Sequence, residues 1–241
     1  MENASYIALS RQVSVARNLD IVANNIANAS TTGFKAHGVL FEEYLQKNPN
    51  ADFKDFEMVN DYGEYTNTSV GPIKNTGNPL DVALDGKGFM RVETEAGPRY
   101  IRNGELQLNA AGEIVTPQGY PVSSPTNAAL SVPPGTKEIK ITTDGSVHAD
   151  GAVVGQIGVW EFDNMQDVVQ MGNNLFSAEV EPVAAQETDV IQGALEGSNV
   201  NPIVELTKMI ELSRNYTGAQ RILNDEHERI RRAIQTISGK S

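Results

Sequence analysis

The sequence predicts an α+β protein, with one helix at each end, paired as a coiled-coil-like layer, and a central antiparallel β domain between them. Three observations carry that expectation. Apolar residues recur at steps of three and four from Asn3 to about Ala27. A heptad series runs through the C-terminal segment from Pro202 to about Ser238. Between the two, tight-turn dipeptides separate short runs of strand character.

In the first helix Tyr6, Leu9, Val13, Ala16, Leu19, Val22 and Ile26 form the periodic stripe. Ile7, Val15 and Ile21 lie off it, so the helix is apolar on more than one side. The turn formers Asn28-Ala29-Ser30-Thr31-Thr32-Gly33 end it, with Gly33 free to take a positive φ. Residues 36–76, with Asn, Asp, Tyr and Gly interspersed, read as an extended connector. Beyond them Asp85-Gly86, Asn103-Gly104, Asp144-Gly145 and Asp150-Gly151 have the composition of tight turns. They separate strands expected at Asp81–Leu84, Phe89–Glu93, Tyr100–Arg102, Leu106–Leu108, Ile114–Thr116, Lys140–Thr142 and Gln156–Phe162. For the last helix, Asn201 is a suitable cap and Pro202 suits the first helical position. Met209, Tyr216, Leu223, Ile230 and Ile237 recur every seven residues, with Leu212, Ala219 and Ala233 following by three. Glu226 interrupts this seam, and Gly218 costs about 1 kcal/mol relative to alanine. No repeat at solenoid spacing is present.

Composition narrows the function. The chain of 241 residues is long enough for a sizeable core. No apolar run reaches the roughly 18 residues of a membrane span, so membrane insertion is not expected. The opening Met1-Glu2-Asn3-Ala4-Ser5 lacks the basic and apolar regions of a conventional signal peptide. Cysteine is absent, which fits either the cytosol or a path through an oxidising compartment. A net charge of −12 argues against a general nucleic-acid binder. Residues 1–35 carry a net +1 and residues 203–241 a net +2, which leaves −15 for the middle. An acidic, solvated centre between mildly basic ends implies different surroundings for the two parts.

Chemistry-bearing patterns are weak. Gly86-x-Gly88 lacks the third glycine and the following helix of a dinucleotide site. His148 stands near Asp144 and Asp150, but turn geometry accounts for both aspartates. The histidines at 37, 148 and 227 form no ligand spacing, and no Ser, His and Asp set suggests a triad. Neither an enzyme, a cofactor nor a bound metal is expected.

The helices point instead to assembly. A two-helix hairpin covers one stripe of each partner, leaving Ile7, Val15 and Ile21 on one helix and Ile203, Ile210 and Ile222 on the other outside the seam. Each such aliphatic is worth about 1.5–3 kcal/mol when fully buried, and other subunits are the simplest place to bury it. Alternatively, both helices pack on the β domain of an ordinary α+β protein, whose function is then that of a soluble ligand-binding module with a defined pocket.

Four blocks of residues extend this further. Leu19-Asp20-Ile21-Val22-Ala23-Asn24-Asn25-Ile26-Ala27-Asn28, with the exit Thr32-Gly33-Phe34-Lys35, resembles the N-terminal signature of flagellar rod and hook proteins. Thr76-Gly77-Asn78-Pro79-Leu80-Asp81 followed by Gly86-Lys87-Gly88-Phe89 resembles the start of that family's β domain. Tyr100-Ile101-Arg102-Asn103-Gly104 with Gly112-Glu113-Ile114 and Gly119-Tyr120 resembles its next hairpins. Gly193-Ala194-Leu195-Glu196-Gly197-Ser198-Asn199-Val200-Asn201 resembles its C-terminal block, departing from it at Gly197, where the family often has a larger residue. The blocks stand in family order and bracket nearly the whole chain, which is identified as a member of the rod and hook family. Length, the opening residues and Leu40-Phe41-Glu42-Glu43-Tyr44-Leu45 resemble the proximal-rod branch most, with the distal-rod branch or another axial subunit as the alternative.

The resemblance implies that residues 1–35 and 193–241 contribute helices to the inner layer of a helical tube, that 36–76 connect the layers, and that 77–192 form an outer β domain. It also implies a torque-transmitting rod crossing the periplasm. Its implied partners are other proximal and distal rod subunits, copies of the same chain, and the flagellar type III export apparatus, which would pass the chain without cleavage. The residues expected at the assembly interface are Tyr6, Leu9, Val13, Ala16, Val22, Asn24, Asn25 and Ile26, with Met209, Leu212, Tyr216, Leu223, Ile230 and Ile237. Asn24 and Asn25 are expected to bond neighbouring subunits, because an interior helical asparagine is unfavourable unless its amide is used. Asn28 is read as local turn chemistry. Gly33, Phe34 and Lys35 are read as a turn glycine, an apolar plug and a solvated charge. Arg229, Arg231 and Arg232 face either the helix C-terminus or an acidic groove on a neighbour.

Overall fold

The computed structural model describes residues 2–46, 56–164 and 168–239. The chain forms two compact units, one of residues 1–27, 37–65 and 201–241, the other of residues 28–36 and 66–200. Helix α1 (Glu2–Ala27) and helix α2 (Pro202–Ser238) belong to the first unit. They lie against one another and run antiparallel, with Asn25 near the end of α1 bonded to Glu205 in the first turn of α2. The Asn201 side chain caps α2 by accepting from the backbone N–H groups of Ile203 (3.1 Å) and Val204 (3.4 Å).

The connector expected over 36–76 is more ordered than its composition suggested. It contains β1 (His37–Gln46), β2 (Phe56–Thr66) and β3 (Ile73–Asn75); its residues 47–55 lie outside the described residues. Strands β1 and β2 form a two-stranded sheet. Here the aromatic ring of Tyr65 occupies the space a Cβ at Gly38 would need.

The second unit is β-rich, and its strand pairs are antiparallel. In chain order come β4 (Val82–Asp85), β5 (Phe89–Thr94), β6 (Gly97–Ile101), β7 (Gln107–Leu108), β8 (Ile114–Val115), β9 (Ile139–Ile141), β10 (Ser146–Ala149), β11 (Ala152–Gln156) and β12 (Val159–Glu161). Then follow β13 (Val168–Gln170), β14 (Leu175–Ala178), β15 (Val183–Ala184), β16 (Asp189–Gln192) and β17 (Ala194–Glu196). Six strands make the largest sheet, in the order β13-β14-β6-β5-β12-β15. A second sheet has the order β11-β10-β9, and β16 pairs β4 while β17 pairs β3. One core gathers Val82, Leu84, Met90, Val92, Ile101, Ile114 and Val147. A smaller one stacks Phe89 edge-on against Phe176, with ring centroids 5.2 Å apart, and against Phe162 at 5.8 Å.

Several expectations need correction. The strand expected at Gln156–Phe162 shortens to β12, with Gln156 the last residue of β11, because the chain bends at Ile157-Gly158, where the Gly158 N–H reaches the Ser123 carbonyl at 3.0 Å. Asn103-Gly104 is not a left-handed turn. A Cβ at Gly104 would fall on the Val82 carbonyl, so this glycine permits close backbone approach, sealed by the Val82 N–H on the Gly104 carbonyl at 2.9 Å. Asp150-Gly151, by contrast, has both residues at positive φ, 50° and 86°, as the β10–β11 hairpin requires. Strands β13 to β17 had no dipeptide signal of the kind used elsewhere. Asn173 and Asn174, both left-handed between β13 and β14, were the available clue.

Lys35 is the largest correction. It is not solvated but 1% exposed, and its Nζ meets the fully buried Glu196 carboxylate at 2.6 Å. Nζ also donates to the Ser69 carbonyl at 2.9 Å, and the Gly71 N–H donates to the same Glu196 oxygen at 2.8 Å. On the other carboxylate oxygen sits Arg102 Nη1 at 3.3 Å, its Nη2 donating to the Gly86 carbonyl at 2.6 Å and its guanidinium 4.9 Å from the Phe89 ring centre. Two cations share one anion away from water. Burial pushes the Lys35 pKa down, with the Arg102 charge adding to that and Glu196 opposing it. The three residues belong to three of the blocks that resemble the flagellar family. Around them, Gly33 packs with φ +69°, where a Cβ would lie 2.6 Å from the Arg102 carbonyl carbon, and its N–H bonds the Glu196 carbonyl at 2.8 Å. Asn199 accepts from the Ala36 N–H at 2.7 Å and donates to the Asn67 carbonyl at 2.8 Å. Residues 28–36 and 193–200, the segments that leave α1 and lead to α2, are thereby stitched into the β unit.

Candidate assembly interface

The helix pair positions most of the residues expected to meet neighbours. On α1 the buried side chains are Ala8, Ser14, Ile21, Val22 and Asn25. Ile21, which the periodic stripe omits, is therefore inside, while stripe members Leu9 and Val13 are exposed, Val13 at 62%. The inward face is rotated from the one that periodicity selected, because small residues (Ala8 and Ser14) let the partner approach on a side with little apolar bulk. Ala16 and Ile26 are half-buried and Asn24 is exposed.

On α2 the heptad positions Met209, Leu212, Tyr216 and Leu223 are half-buried and Ala219 is buried. Ile230 is exposed. Helix length explains the difference. With Asn25 opposite Glu205 and α1 beginning at Glu2, an antiparallel α1 runs out at about residue 228 of α2 at equal rise along both axes. Ile230 and Ile234 stand on the overhang, Ile234 at 60% exposure. Near the other end Ile203, Leu206 and Ile210 share one face at spacings of three and four, turned away from Leu212 and Tyr216, and Ile203 is 78% exposed. Tyr6 and Ile237 are on the helices, and their side chains lie outside the described residues. A cavity of about 460 Å³ beside the pair is lined by Ala8, Arg11, Arg214, Asn215, Gly218, Ala219 and Ile222. The small residues at 8, 218 and 219 leave this space open.

Polar groups follow a different logic from the one expected. Asn25 is buried and its amide is spent inside the chain, which corrects its assignment to a neighbouring subunit. Oδ1 accepts from the His37 N–H at 2.9 Å, and Nδ2 donates to the His37 carbonyl at 2.8 Å and to Glu205 Oε2 at 3.1 Å. Asn28 accepts from the Thr31 hydroxyl at 3.1 Å in the turn after α1, in keeping with local turn chemistry. The basic cluster near the end of α2 is engaged along its own helix, Arg229 with Glu226 at 2.7 Å and Arg232 with Glu228 at 3.7 Å. Such exposed pairs are worth about 0–1 kcal/mol each.

In the β unit the aspartates flanking His148 serve turns. Asp150 accepts from the N–H groups of Lys137 (3.1 Å) and Glu138 (3.0 Å). Asp144 accepts from the hydroxyls of Ser146 (2.6 Å) and Thr142, which hold its pKa down at about 2. Asp81, at the start of β4, is buried and receives the Thr76 hydroxyl at 2.6 Å and the Asn78 amide at 2.8 Å. That turn is the physical content of the Thr76–Asp81 block. Gly197, where the family block departs, packs so that a Cβ would lie 3.3 Å from the Pro72 carbonyl. No described helix is long and apolar enough to cross a membrane.

Similarity to known proteins runs over nearly the whole chain. Residues 6–35 match the model of the flagella basal body rod protein family, residues 83–149 that of the flagellar hook protein FlgE/F/G D1 domain, and residues 191–236 that of the flagellar basal body rod FlgEFG protein C-terminal region. The chain is 34% identical to the flagellar basal-body rod protein FlgF of Caulobacter vibrioides, with 98% of each chain covered. It is 32% identical to FlgF of Rhizobium meliloti over 99% of each. Against the flagellar basal-body rod protein FlgG of Bacillus subtilis it is 29% identical, covering 95% of this chain and 96% of that one. A β unit entered and left through matching terminal blocks, and full-length similarity to rod proteins, together place the chain in the flagellar basal-body rod protein family, as an FlgF-like member.

Proposed function

We propose that the chain is a non-catalytic structural subunit of the proximal rod, polymerising through its terminal helices into a helical tube that transmits torque. The observation that carries this reading is the apolar surface left on both helices after they have paired. Leu9 and Val13 on α1, and Ile203, Leu206, Ile210, Ile222 and Ile234 on α2, are exposed. A lone chain gains nothing from holding them in water, and neighbouring copies or other rod subunits supply the apolar cover. In this reading the coiled-coil-like pair forms an inner layer and the β unit an outer one. Helix α2, at 37 residues against 26 for α1, offers its overhang to another subunit.

Passage through the flagellar type III apparatus and a position across the periplasm belong to the same proposal. The absence of cysteine from all 241 residues supports it, since a chain without thiols crosses an oxidising space with nothing to mispair. Similarity to FlgG over most of the chain keeps a distal-rod position as the second reading. Antibody or tag localisation in isolated basal bodies separates the two. For the structural role itself, removal of residues 1–27 or of residues 203–241 abolishes incorporation into basal bodies. Incorporation that persists after both deletions overturns the proposal.

A further inference from the structure

We infer that the cavity beside the helix pair receives the exposed face of α1 from a second copy of the chain, with that copy's Asp20 seated at Arg11 and Arg214. The contact is one of those through which the proposed assembly joins terminal helices, and it rests on that reading. The floor of the cavity is small and apolar, with Ala8 and Ala219 buried and open space where a Cβ at Gly218 would stand. Ile222, 59% exposed, forms part of the wall. The charged lining is cationic. Arg11 and Arg214 border the same space of about 460 Å³, and no carboxylate is among its described lining residues. Neither guanidinium has an ion-pair partner among the described residues. Two arginines on one open space repel each other until an anion enters, and a carboxylate matches guanidinium geometry closely.

The complement is carried by α1 itself. At about 3.6 residues per turn, Leu9, Val13, Ala16, Asp20 and Ala23 fall on one face of that helix. Leu9 is 49% exposed and Val13 62%. Asp20 is exposed and has no bonded partner among the described residues. This face lies opposite Ile21, Val22 and Asn25, the side chains that α1 turns inward. Each chain therefore presents an apolar stripe with one carboxylate on one side, and a groove with a small apolar floor and two unpaired cations on another. Such a pairing of unlike surfaces is heterologous, the kind that repeats into helical filaments instead of closing as a dimer. Copies in a filament point the same way, so the neighbour's α1 runs against this chain's α2. With the neighbour's Asp20 beside Arg214, equal rise along both helices sets its Ala16 beside Gly218 and its Val13 beside Ile222. One contact then covers two exposed aliphatic side chains and neutralises the arginines.

Incorporation into basal bodies reads the ion contact. In the full-length chain, Asp20→Arg and Arg214→Glu are each expected to reduce incorporation at least about tenfold, since like charges then meet across the contact. A chain carrying both is expected to recover to within about threefold of the native level, the non-additivity that marks residues in contact. Because the chain has no cysteine, disulfides between copies read the geometry. Two full-length chains are co-expressed, one with Ala16→Cys and the other with Gly218→Cys, and isolated basal bodies are oxidised. A disulfide-linked dimer is expected, and none when Ser213→Cys, on another face of α2, replaces Gly218→Cys. Should a cysteine chain fail to incorporate, the charge exchange decides alone. Single charge substitutions that leave incorporation unchanged overturn the inference. So does a double variant no better than the single ones, or rods that hold both cysteine chains without the linked dimer; another subunit or another anion then occupies the cavity. Rods that incorporate the cysteine chains without linking them leave the proposed function standing.

Discussion

Glu196 is a carboxylate with no exposure to water, and Lys35 and Arg102 converge on it. Removing the anion leaves two buried cations facing one another. Glu196→Leu is therefore expected to destabilise the β unit by about 3–5 kcal/mol, the usual range for breaking a buried pair from one side, as measured by the urea midpoint. The lowered Lys35 pKa adds a pH signature. Between that lowered value and the ordinary 10.5, the unfolded chain holds a proton that the folded one does not. Stability contributed by this site consequently rises with pH across the window. The stability difference between the native chain and Lys35→Met is expected to grow from neutral pH toward 10.5, and a flat difference would argue that Lys35 stays charged throughout. Asp144 behaves in the opposite sense. Its folded pKa is depressed to about 2 from 3.8 by the Ser146 and Thr142 hydroxyls, so its contribution is present above the ordinary value and disappears as pH falls through about 2. Carboxyl chemical shifts should give a midpoint near 2, moving up toward 3.8 in Ser146→Ala.

At the scale of elements, α2 depends on its first turn. Asn201 satisfies two of the orphan N–H groups there, and Asn201→Ala is expected to lower stability by about 1 kcal/mol, with Asn201→Gly losing only a few tenths. Thermal unfolding followed by helical circular dichroism would show whether the loss lies in α2. The strands answer to a different constraint. At Gly104 a side chain would displace the Val82 carbonyl to which the β unit closes. Gly104→Ala should reduce the cooperativity and midpoint of β unfolding, whereas Gly119→Ala, with open space around its Cβ position but φ +88°, should show backbone strain alone.

For the whole molecule, the folded core and the proposed assembly surface use different residues. Val13→Glu and Ile203→Glu alter exposed positions, so monomer stability should stay within about 0.5 kcal/mol of the native chain. Incorporation into basal bodies should nevertheless fall if the proposed interface holds, because a charge then occupies the surface that neighbours would cover. Val22→Glu is the control: Val22 is 3% exposed, and its loss should appear first as unfolding. Equal incorporation of the Val13→Glu and Ile203→Glu chains would move the interface elsewhere.

Much of this was legible in the residues themselves. Both helices, the cap at Asn201, the turn at Gly33 and the strands around Phe89 and Ile114 follow from periodicity, capping and turn chemistry, which operate over a few neighbouring positions. The terminal blocks also carried family membership. What local pattern could not decide was where polar groups would finish. Lys35 looks solvated until Glu196, 161 residues away, arrives to bury it. Asn25 looks like a contact for another subunit until Glu205, 180 residues away, takes its amide. Which face of α1 turns inward was hidden for the same reason, since Ala8 and Ser14 carry too little apolar surface to mark it. The sequence by itself determined the two helices and several of the strands set off by tight turns, because those depend on short-range sterics and hydrogen bonding, whereas β1 to β3 and β13 to β17 carried no such local mark. Only the tertiary structure decided which charges and amides are neutralised within the chain, because that depends on which distant groups share a space without water.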